Sequence, residues 1–200
     1  MLATGPGVPH VLRSLLLPAA LLLGACASLS ESECRSQDWA ELGRADGQHG
    51  RPLSQFKEHR EACKAHGVKP DGAAYKKGRE EGLRTYCTPS GGYVAGRRGD
   101  SYEDVCNAAA EREFRPAFRD GRQVHAILRD LEELQRRMDD VEMSALSTGD
   151  LSPEARTYRN LEMSELRRQY QQRQWEAERL DGRYALKYKV DPLRDLDYDR

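Results

Sequence analysis

The stretch Leu23-Gly24-Ala25-Cys26 decides how the chain folds, because it decides whether the other cysteines meet an oxidising compartment. It closes an apolar run, Leu15 to Leu23, that is shorter than the roughly 20 residues needed to cross a bilayer. That length is typical of a signal-peptide core. Leucine, two small residues and cysteine form the pattern of a lipoprotein cleavage site. We therefore predict that residues 1–25 are a signal peptide and that Cys26 carries lipid.

The predicted lipid anchor indicates where the protein lies in the cell. Stable attachment takes more than one acyl chain, and bacterial lipoproteins of this pattern carry a diacylglycerol, usually with a third chain on the amine. An aspartate after the cysteine would favour retention of the lipoprotein in the inner membrane, but this chain has Ala27 there. We therefore expect the protein to lie on the periplasmic side of the outer membrane, with the inner membrane as the alternative. Residues 26–32 are predicted to be a tether. An ordinary signal peptide cut elsewhere, or a buried helix, is the competing interpretation.

Composition narrows the class of protein. Lys and Arg number 32 and Asp and Glu 33, which gives a net charge of −1, so no basic excess indicates nucleic acid. Charged residues make up 32% and aromatic residues 7% of the chain. Such a composition favours long solvated helices. No second apolar run follows Cys26, so no other membrane-crossing segment is expected.

Four further cysteines, Cys34, Cys63, Cys87 and Cys106, would be exported with the chain. An even number in an oxidising compartment predicts two disulfides, for which three pairings exist. We favour Cys34–Cys63, because the start of one helix lies beside the end of the next in an antiparallel hairpin, and Cys87–Cys106, which would close a glycine-rich loop. Each would stabilise the fold by about 3 kcal/mol.

Residues 33–123 are predicted to form a small all-α domain. Helices are expected through about Gly47, from a Ser54 cap to about residue 65, and over about 73–86. Aromatic residues precede glycines by three or four positions on helical faces, as in Trp39 with Gly43 and Phe118 with Gly121. Several glycines on one face suggest close packing of another backbone. The spacing is either a faint internal repeat or a packing need shared by unrelated segments.

The segment from Thr88 to Ser101 changes character and is predicted to be an ordered glycine-rich loop with a short strand pair at Tyr93-Val94. Its glycine amides and guanidiniums suit an anion. Tyr93, Arg97 and Arg98 are therefore the candidate ligand-binding residues. No Gly-Lys-Ser/Thr is present, which excludes a nucleotide P-loop. The alternative is a tight loop whose arginines pair with nearby acids.

Residues 124–181 are predicted to form an antiparallel helical hairpin. A heptad seam opens it: Val124, Ile127, Leu131, Leu134, Met138, Val141 and Ala145. Ser152-Pro153 starts the second helix, whose looser stripe is Tyr158, Leu161, Leu166, Tyr170, Ala177 and Leu180. Pro116 is expected to kink or delay the first helix, and residues 182–200 to be a frayed polar tail. The seam is either intramolecular core or an interface with another chain.

No motif for catalysis is present. The chain has no Gly-x-Ser-x-Gly and no His-Glu-x-x-His, and we predict no catalytic residues, no cofactor and no metal. His59, Cys63 and His66 share one helical face and would become a metal candidate only if Cys63 were a free thiol. We therefore predict that the protein is not an enzyme.

The span from Cys34 to about Val124 resembles DUF2799, an uncharacterised family of proteobacterial lipoproteins. The matching stretches are Cys34-Arg35, Asp38-Trp39, Gly43, Asp46-Gly47, Gly50, His59, Ala62-Cys63, Tyr75, Gly78-Arg79, Gly82 to Pro89, Gly92-Tyr93, Gly96-Arg97, Gly99, Tyr102, Val105-Cys106, Phe118 and Gly121-Arg122. Asn107 stands where the family often has proline. The resemblance implies an exported lipoprotein with a disulfide-bonded domain and implies no activity.

These observations lead to one expected function and one alternative. We expect a lipid-anchored cell-envelope protein, a non-enzymatic structural or interaction component. Its partners would be the membrane, through Cys26, and another envelope protein or a second copy, through the hairpin. The alternative is a binder of a small anionic ligand or cell-wall fragment at residues 91–99.

Overall fold

The computed structural model describes residues 29–147 and 152–191, and these residues form seven helices and no strand. The helices are α1 Glu31–Ser36, α2 Trp39–Gln48, α3 Ser54–Lys64, α4 Gly72–Tyr86, α5 Pro89–Arg98, α6 Ala108–Ser147 and α7 Pro153–Tyr188. The predicted all-α class is confirmed. None of these helices is apolar enough over a sufficient length to span a bilayer. The predicted signal peptide and Cys26 lie outside the described residues.

Two helix pairs, α2 with α4 and α5 with α6, are each accompanied by one disulfide. Cys34 lies in α1, before α2, and is bonded to Cys63 near the end of α3, before α4, with their Cα atoms 5.4 Å apart. Cys87 precedes α5 and is bonded to Cys106 just before α6, at 5.5 Å. Both predicted pairings are confirmed.

Glycines bring the helices of each pair into contact through their backbones. A Cβ atom added to Gly43 on α2 would overlap the carbonyl oxygen of Tyr75 on α4, and one added to Gly78 would overlap that of Ala40. In the second pair, a Cβ on Gly96 of α5 would overlap the carbonyl oxygen of Phe118 on α6. Helices that approach this closely leave no room for any side chain at the contact.

In both helix pairs, the arginine that follows a contact glycine donates hydrogen bonds to a backbone carbonyl at or beyond the end of the other helix. Arg79 on α4 donates from Nε and Nη2 to the carbonyl of Arg51, beyond the end of α2, at 2.9 and 2.7 Å. Arg122 on α6 donates from Nη1 to the carbonyl of Gly99, at the end of α5, at 2.9 Å. The faint repeat in the sequence is therefore a structural repeat: cysteine, glycine helix, cysteine, and a helix carrying aromatic-x-x-Gly-Arg.

The predicted loop and strand pair over 88–101 are wrong, because this segment is the helix α5. Thr88 caps it by accepting the Gly91 N–H at 3.0 Å, and Pro89 occupies its first turn, where a missing N–H does no harm. Two of the glycines that suggested a loop, Gly92 and Gly96, serve instead as contact points with α6, whereas Gly91 packs on the carbonyl oxygen of Tyr86. Gly99 ends the helix at a φ of 88°.

Other boundaries also differ from the prediction. The first expected helix is divided into α1 and α2. Asp38 begins α2 by accepting hydrogen bonds from the Ala40 and Glu41 N–H groups at 2.9 and 3.1 Å. Ser54 is the first residue of α3 rather than its cap, and α3 has no side-chain cap. Helix α6 runs through Pro116 and begins earlier than expected.

The early start of α6 has a local cause. The Asn107 side chain accepts the Ala109 and Ala110 N–H groups at 3.1 and 3.0 Å and so satisfies donors that a helix start leaves unpaired. Pro116 follows in the third turn. The residue that departs from the family pattern is thus the one that caps the helix.

Helices α6 and α7 form the predicted hairpin, and Val124, Ile127 and Leu134 are buried in it. Leu166 and Ala177 of α7 are buried as expected, whereas Tyr158 and Leu161 are exposed. The side of α7 facing α6 includes a polar position, Arg173, whose Nε lies 3.5 Å from Asp130 Oδ2 of α6. Such positions obscure the helical period in the sequence. The predicted tail is wrong up to Val190, which is buried. The 26–32 tether is also shorter than predicted, because Leu29 is buried.

We expect Gly43→Ala to lower the free energy of unfolding by about 2–3 kcal/mol, because the added methyl forces α2 away from the α4 backbone. Urea unfolding followed by circular dichroism measures this. Gly182→Ala is the matched control: Gly182 lies in α7 with no atom within 4 Å of an added Cβ, so we expect a gain of about 0.5–1 kcal/mol. Equal stability of Gly43→Ala and the parent would contradict the backbone contact.

Candidate functional site

Tyr93 and Arg97, two of the three predicted ligand residues, bind the chain's own Asp181. Arg97 Nε lies 2.9 Å from Asp181 Oδ1 and Arg97 Nη2 lies 2.8 Å from Oδ2, a bidentate pair. The Tyr93 hydroxyl also donates to Oδ1. Burial, aided by this carboxylate, raises the pKa of the Tyr93 phenol far above its ordinary value. These groups fasten α7 to α5.

A second polar contact lies beside the first. Tyr188 stacks on Tyr93 with ring centroids 5.5 Å apart, and its hydroxyl donates to Asp120 Oδ2 at 2.6 Å. Lys187 Nζ donates to the same oxygen at 2.8 Å. Burial alone would raise the pKa of Asp120, but the bonds from Lys187 and Tyr188 outweigh it and lower the pKa. The end of α7 is thus held to both α5 and α6.

Arg98, the third predicted ligand residue, points elsewhere. It donates from Nε and Nη2 to Asp100 Oδ2 at 3.1 and 2.7 Å. Together with His49, Arg51 and Gln55 it also borders a polar cleft of about 430 Å³ between the two repeat units. No pattern in the sequence indicates this cleft, because Arg51 and Arg98 are distant along the chain.

His59, Cys63 and His66 do not come together as a metal site. Cys63 is in a disulfide, and His59 Nε2 lies 2.9 Å from Asp46 Oδ2, which also accepts the Tyr75 hydroxyl at 2.6 Å. Burial, followed by the bond to Asp46, raises the pKa of Tyr75 well above its ordinary value. Within residues 29–147 and 152–191, no three His, Cys, Asp or Glu side chains are placed to hold a metal ion.

The Asp46–His59–Tyr75 cluster was missed from sequence. Its members come from α2, α3 and α4, and His59 and Tyr75 are 5% and 0% exposed. A buried polar network of this kind stabilises and specifies a core when every member is bonded. Only the position of Asp46 next to Gly47 could have indicated it, because Gly47 brings α2 against α4.

The most exposed apolar side chains of α7 are Tyr158, Leu161, Trp175 and Leu186, at 75%, 61%, 63% and 84%. The Arg179 guanidinium lies 5.2 Å above the Trp175 ring. Scattered exposed apolar residues are ordinary, but these four lie along one helix that already buries another side. This outer face of α7 is the candidate interaction surface.

The architecture defines a disulfide-stapled, all-α domain that carries a helical arm. The arm consists of α7 and the part of α6 after residue 123. Residues 38–123 match the family model described as "Protein of unknown function (DUF2799)". This part of the chain belongs to that family. It includes both repeat units except Cys34, and it ends within α6 before the arm. Searches of curated proteins and of solved structures found no match.

We expect Asp181→Asn to lower the free energy of unfolding by about 1.5–3 kcal/mol at pH 7, since it removes the charged acceptor of Arg97 and Tyr93. Chemical denaturation of the parent and variant measures the loss. Asp140→Asn is the control, because Asp140 is an exposed residue of the α6 arm and its replacement should change stability by less than about 0.5 kcal/mol. Equal effects of the two substitutions would show that Asp181 does not hold α7.

Proposed function

We propose that the protein is a lipid-anchored, non-enzymatic component of the cell envelope that presents its helical arm to another envelope component. The observation that carries this proposal is the row of exposed apolar side chains on α7, whose opposite side is packed on α6. An arm with one packed and one unpartnered apolar side suits binding better than solvation alone. The proposed location is the outer membrane, facing the periplasm, because Ala27 follows Cys26.

The position of Leu29 determines how close a lipid on Cys26 would hold the domain to the membrane. Leu29 is 7% exposed and packs with the Cys34–Cys63 disulfide in one core cluster. Three residues of chain reach about 10 Å at most, so a lipid on Cys26 would hold the domain directly against the bilayer. An anchor this short fixes which side of the domain faces the membrane, which is useful in a protein that presents a surface.

The packing of polar groups supports a non-enzymatic role. The Asp46–His59–Tyr75 cluster is the closest approach to a catalytic set among the described residues, and its His59 ring is 5% exposed. Its carboxylate already accepts bonds from both partners. A general base must reach a proton of a substrate, and these groups are closed off by the helices that surround them.

We expect Cys26→Ser to move the protein from the membrane fraction to the soluble fraction, because hydrophobic transfer of about 0.8 kcal/mol per acyl CH₂ is lost.

The same preparations report on the arm when a benzophenone amino acid replaces Trp175 and cells are irradiated. Photo-adducts should form at position 175 in the lipidated protein.

The control places the benzophenone at Arg167, an exposed position on a different side of α7. Intact mass of the membrane-extracted parent should show lipid on Cys26 and four cysteines blocked until reduction. A parent protein without lipid would refute the anchor. Equal adducts at positions 167 and 175, or none at either, would refute the arm as the binding element.

A second candidate function, binding of a small anionic ligand or cell-wall fragment, moves from the predicted loop to the cleft beside Arg98. The cleft is lined by Arg51, His49 and Ser101, and also by Glu103 and by Arg98 with its bonded partner Asp100. Guanidiniums bind carboxylates and phosphates, and Arg51 is the residue that we expect to do so here. Tyr93 and Arg97 have no place in it, because both are engaged by Asp181.

We expect Arg51→Ala to weaken any binding of inorganic phosphate at least about tenfold, the effect of losing one charge-assisted bond, without a change in melting temperature. Isothermal titration calorimetry measures it. Arg129→Ala, which removes an exposed arginine of the arm, is the control and should leave binding unchanged. Absence of phosphate binding by the parent would remove this candidate.

A further inference from the structure

The turn that follows α3 lies beside the point where the lipid anchor would join the domain. Leu29 packs with the Cys34–Cys63 disulfide in one cluster, and Val68 packs against the same cluster. The Val68 N–H donates to the Cys63 carbonyl at 3.0 Å, which holds the turn on the disulfide. Because Leu29 follows Cys26 by three residues, a lipid on Cys26 would place this turn close to the bilayer surface.

A groove with basic side chains opens at this turn and has a volume of about 370 Å³. Its lining residues are Arg60, Glu61, Lys64, Val68, Lys69 and Pro70. The Lys64 side chain is 79% exposed, and Lys69 is exposed as well. Val68 belongs both to the groove and to the Leu29 cluster, so the groove adjoins the site of the anchor.

The charge of this surface is complementary to an anionic partner. From residue 57 to residue 70 the chain has four basic and two acidic side chains, although its net charge as a whole is −1. The basic residues are Lys57, Arg60, Lys64 and Lys69, and the acidic ones are Glu58 and Glu61. Glu61 lies 3.4 Å from Arg60 and 4.0 Å from Lys64, so one acid is shared by two cations of the groove.

The acidic residues of the neighbouring α1 are engaged locally. Glu31 Oε1 lies 2.9 Å from Arg35 Nη2, and Glu33 Oε2 accepts the Ser30 N–H at 2.7 Å. The pairing with Arg35 offsets the charge of Glu31, and the bond from Ser30 holds Glu33 at the start of α1. Repulsion of an anionic surface by α1 is reduced accordingly.

We propose that this groove binds the anionic phospholipid headgroups of the membrane to which Cys26 is attached. Arg60, Lys64 and Lys69 donate to the headgroup phosphates, and the lysine stems lie along the edge of the acyl region. The inference rests on the proposed function, in which Cys26 carries lipid, and it names the surface of the domain that faces the membrane.

The anchor makes a modest attraction sufficient. Each lysine or arginine near an anionic bilayer strengthens the attraction about fivefold. Once Cys26 is in the bilayer, binding of the groove is an intramolecular step, so the effective concentration of headgroups is high. The groove therefore orients a domain that the lipid already holds, and salt weakens this contact.

The test uses the full-length lipoprotein, extracted from membranes and reconstituted in vesicles of phosphatidylcholine and phosphatidylglycerol. A fluorophore is attached to Ala65→Cys, because Ala65 is exposed at the end of α3. Spin-labelled headgroups should quench it. The positional control is the same label on Met143→Cys, since Met143 is 63% exposed near the end of the α6 arm, and it should stay unquenched.

Charge variants test the recognition of headgroups. Lys64→Gln and Lys69→Gln should each lower the ratio of quenched to unquenched label at 65 about fivefold, as should omission of phosphatidylglycerol or added salt in direction. Arg129→Gln with Arg137→Gln removes the same charge from exposed positions of the arm and should leave the quenching unchanged.

Equal quenching at 65 and 143, or quenching that is the same without phosphatidylglycerol, overturns the inference. A blue shift of the label at 65 without quenching would mean that a protein, either another one or a second copy, covers the groove, and this also overturns it. Intact mass separates the two proposals. If Cys26 carries no lipid, the anchor and this inference both fail. If lipid is present and position 65 is not quenched, only the inference fails.

Discussion

Backbone contact between helices at glycines is the constraint on which the rest of the structure depends. Gly43 and Gly78 join α2 to α4, and Gly96 and Gly121 join α5 to α6. Each glycine inside a helix disfavours that helix by up to about 1 kcal/mol. The two disulfides offset this cost, because each lowers the conformational entropy of the unfolded chain and so stabilises the fold by about 3 kcal/mol. Covalent bridges thus make it possible to use helices that are weak by themselves.

The second level of organisation is the attachment of the arm to this stapled domain. The aromatic-x-x-Gly-Arg pattern supplies a buried aromatic residue and an arginine on neighbouring turns. On α4, Tyr75 and Arg79 bind groups within the first repeat unit. On α5, Tyr93 and Arg97 follow the same spacing, and both bind Asp181 of α7. A spacing used for internal packing in one unit therefore holds the arm in the other.

The division between family-matched segment and arm corresponds to a division of physical properties. Residues 38–123 contain the glycine contacts, the buried Asp46–His59–Tyr75 cluster and both repeat units except Cys34. The exposed row from Tyr158 to Leu186 lies outside them. We therefore locate the proposed binding surface on the arm, and treat the stapled domain as the support that holds it.

The sequence by itself determined the all-α class, the number of disulfides and the hairpin seam from Val124, because helical periodicity and cysteine parity can be read along the chain. The sequence favoured one of three disulfide pairings, and only the tertiary structure decided it. Only the tertiary structure decided the role of residues 88–101. Their glycines look like turn residues until α6 is placed against them, and Gly96 then proves to be a contact point. The tertiary structure also decided which group Tyr93 and Arg97 bind, because their partner Asp181 is more than 80 residues away. Contacts over that distance depend on how helices pack, and no local pattern encodes them.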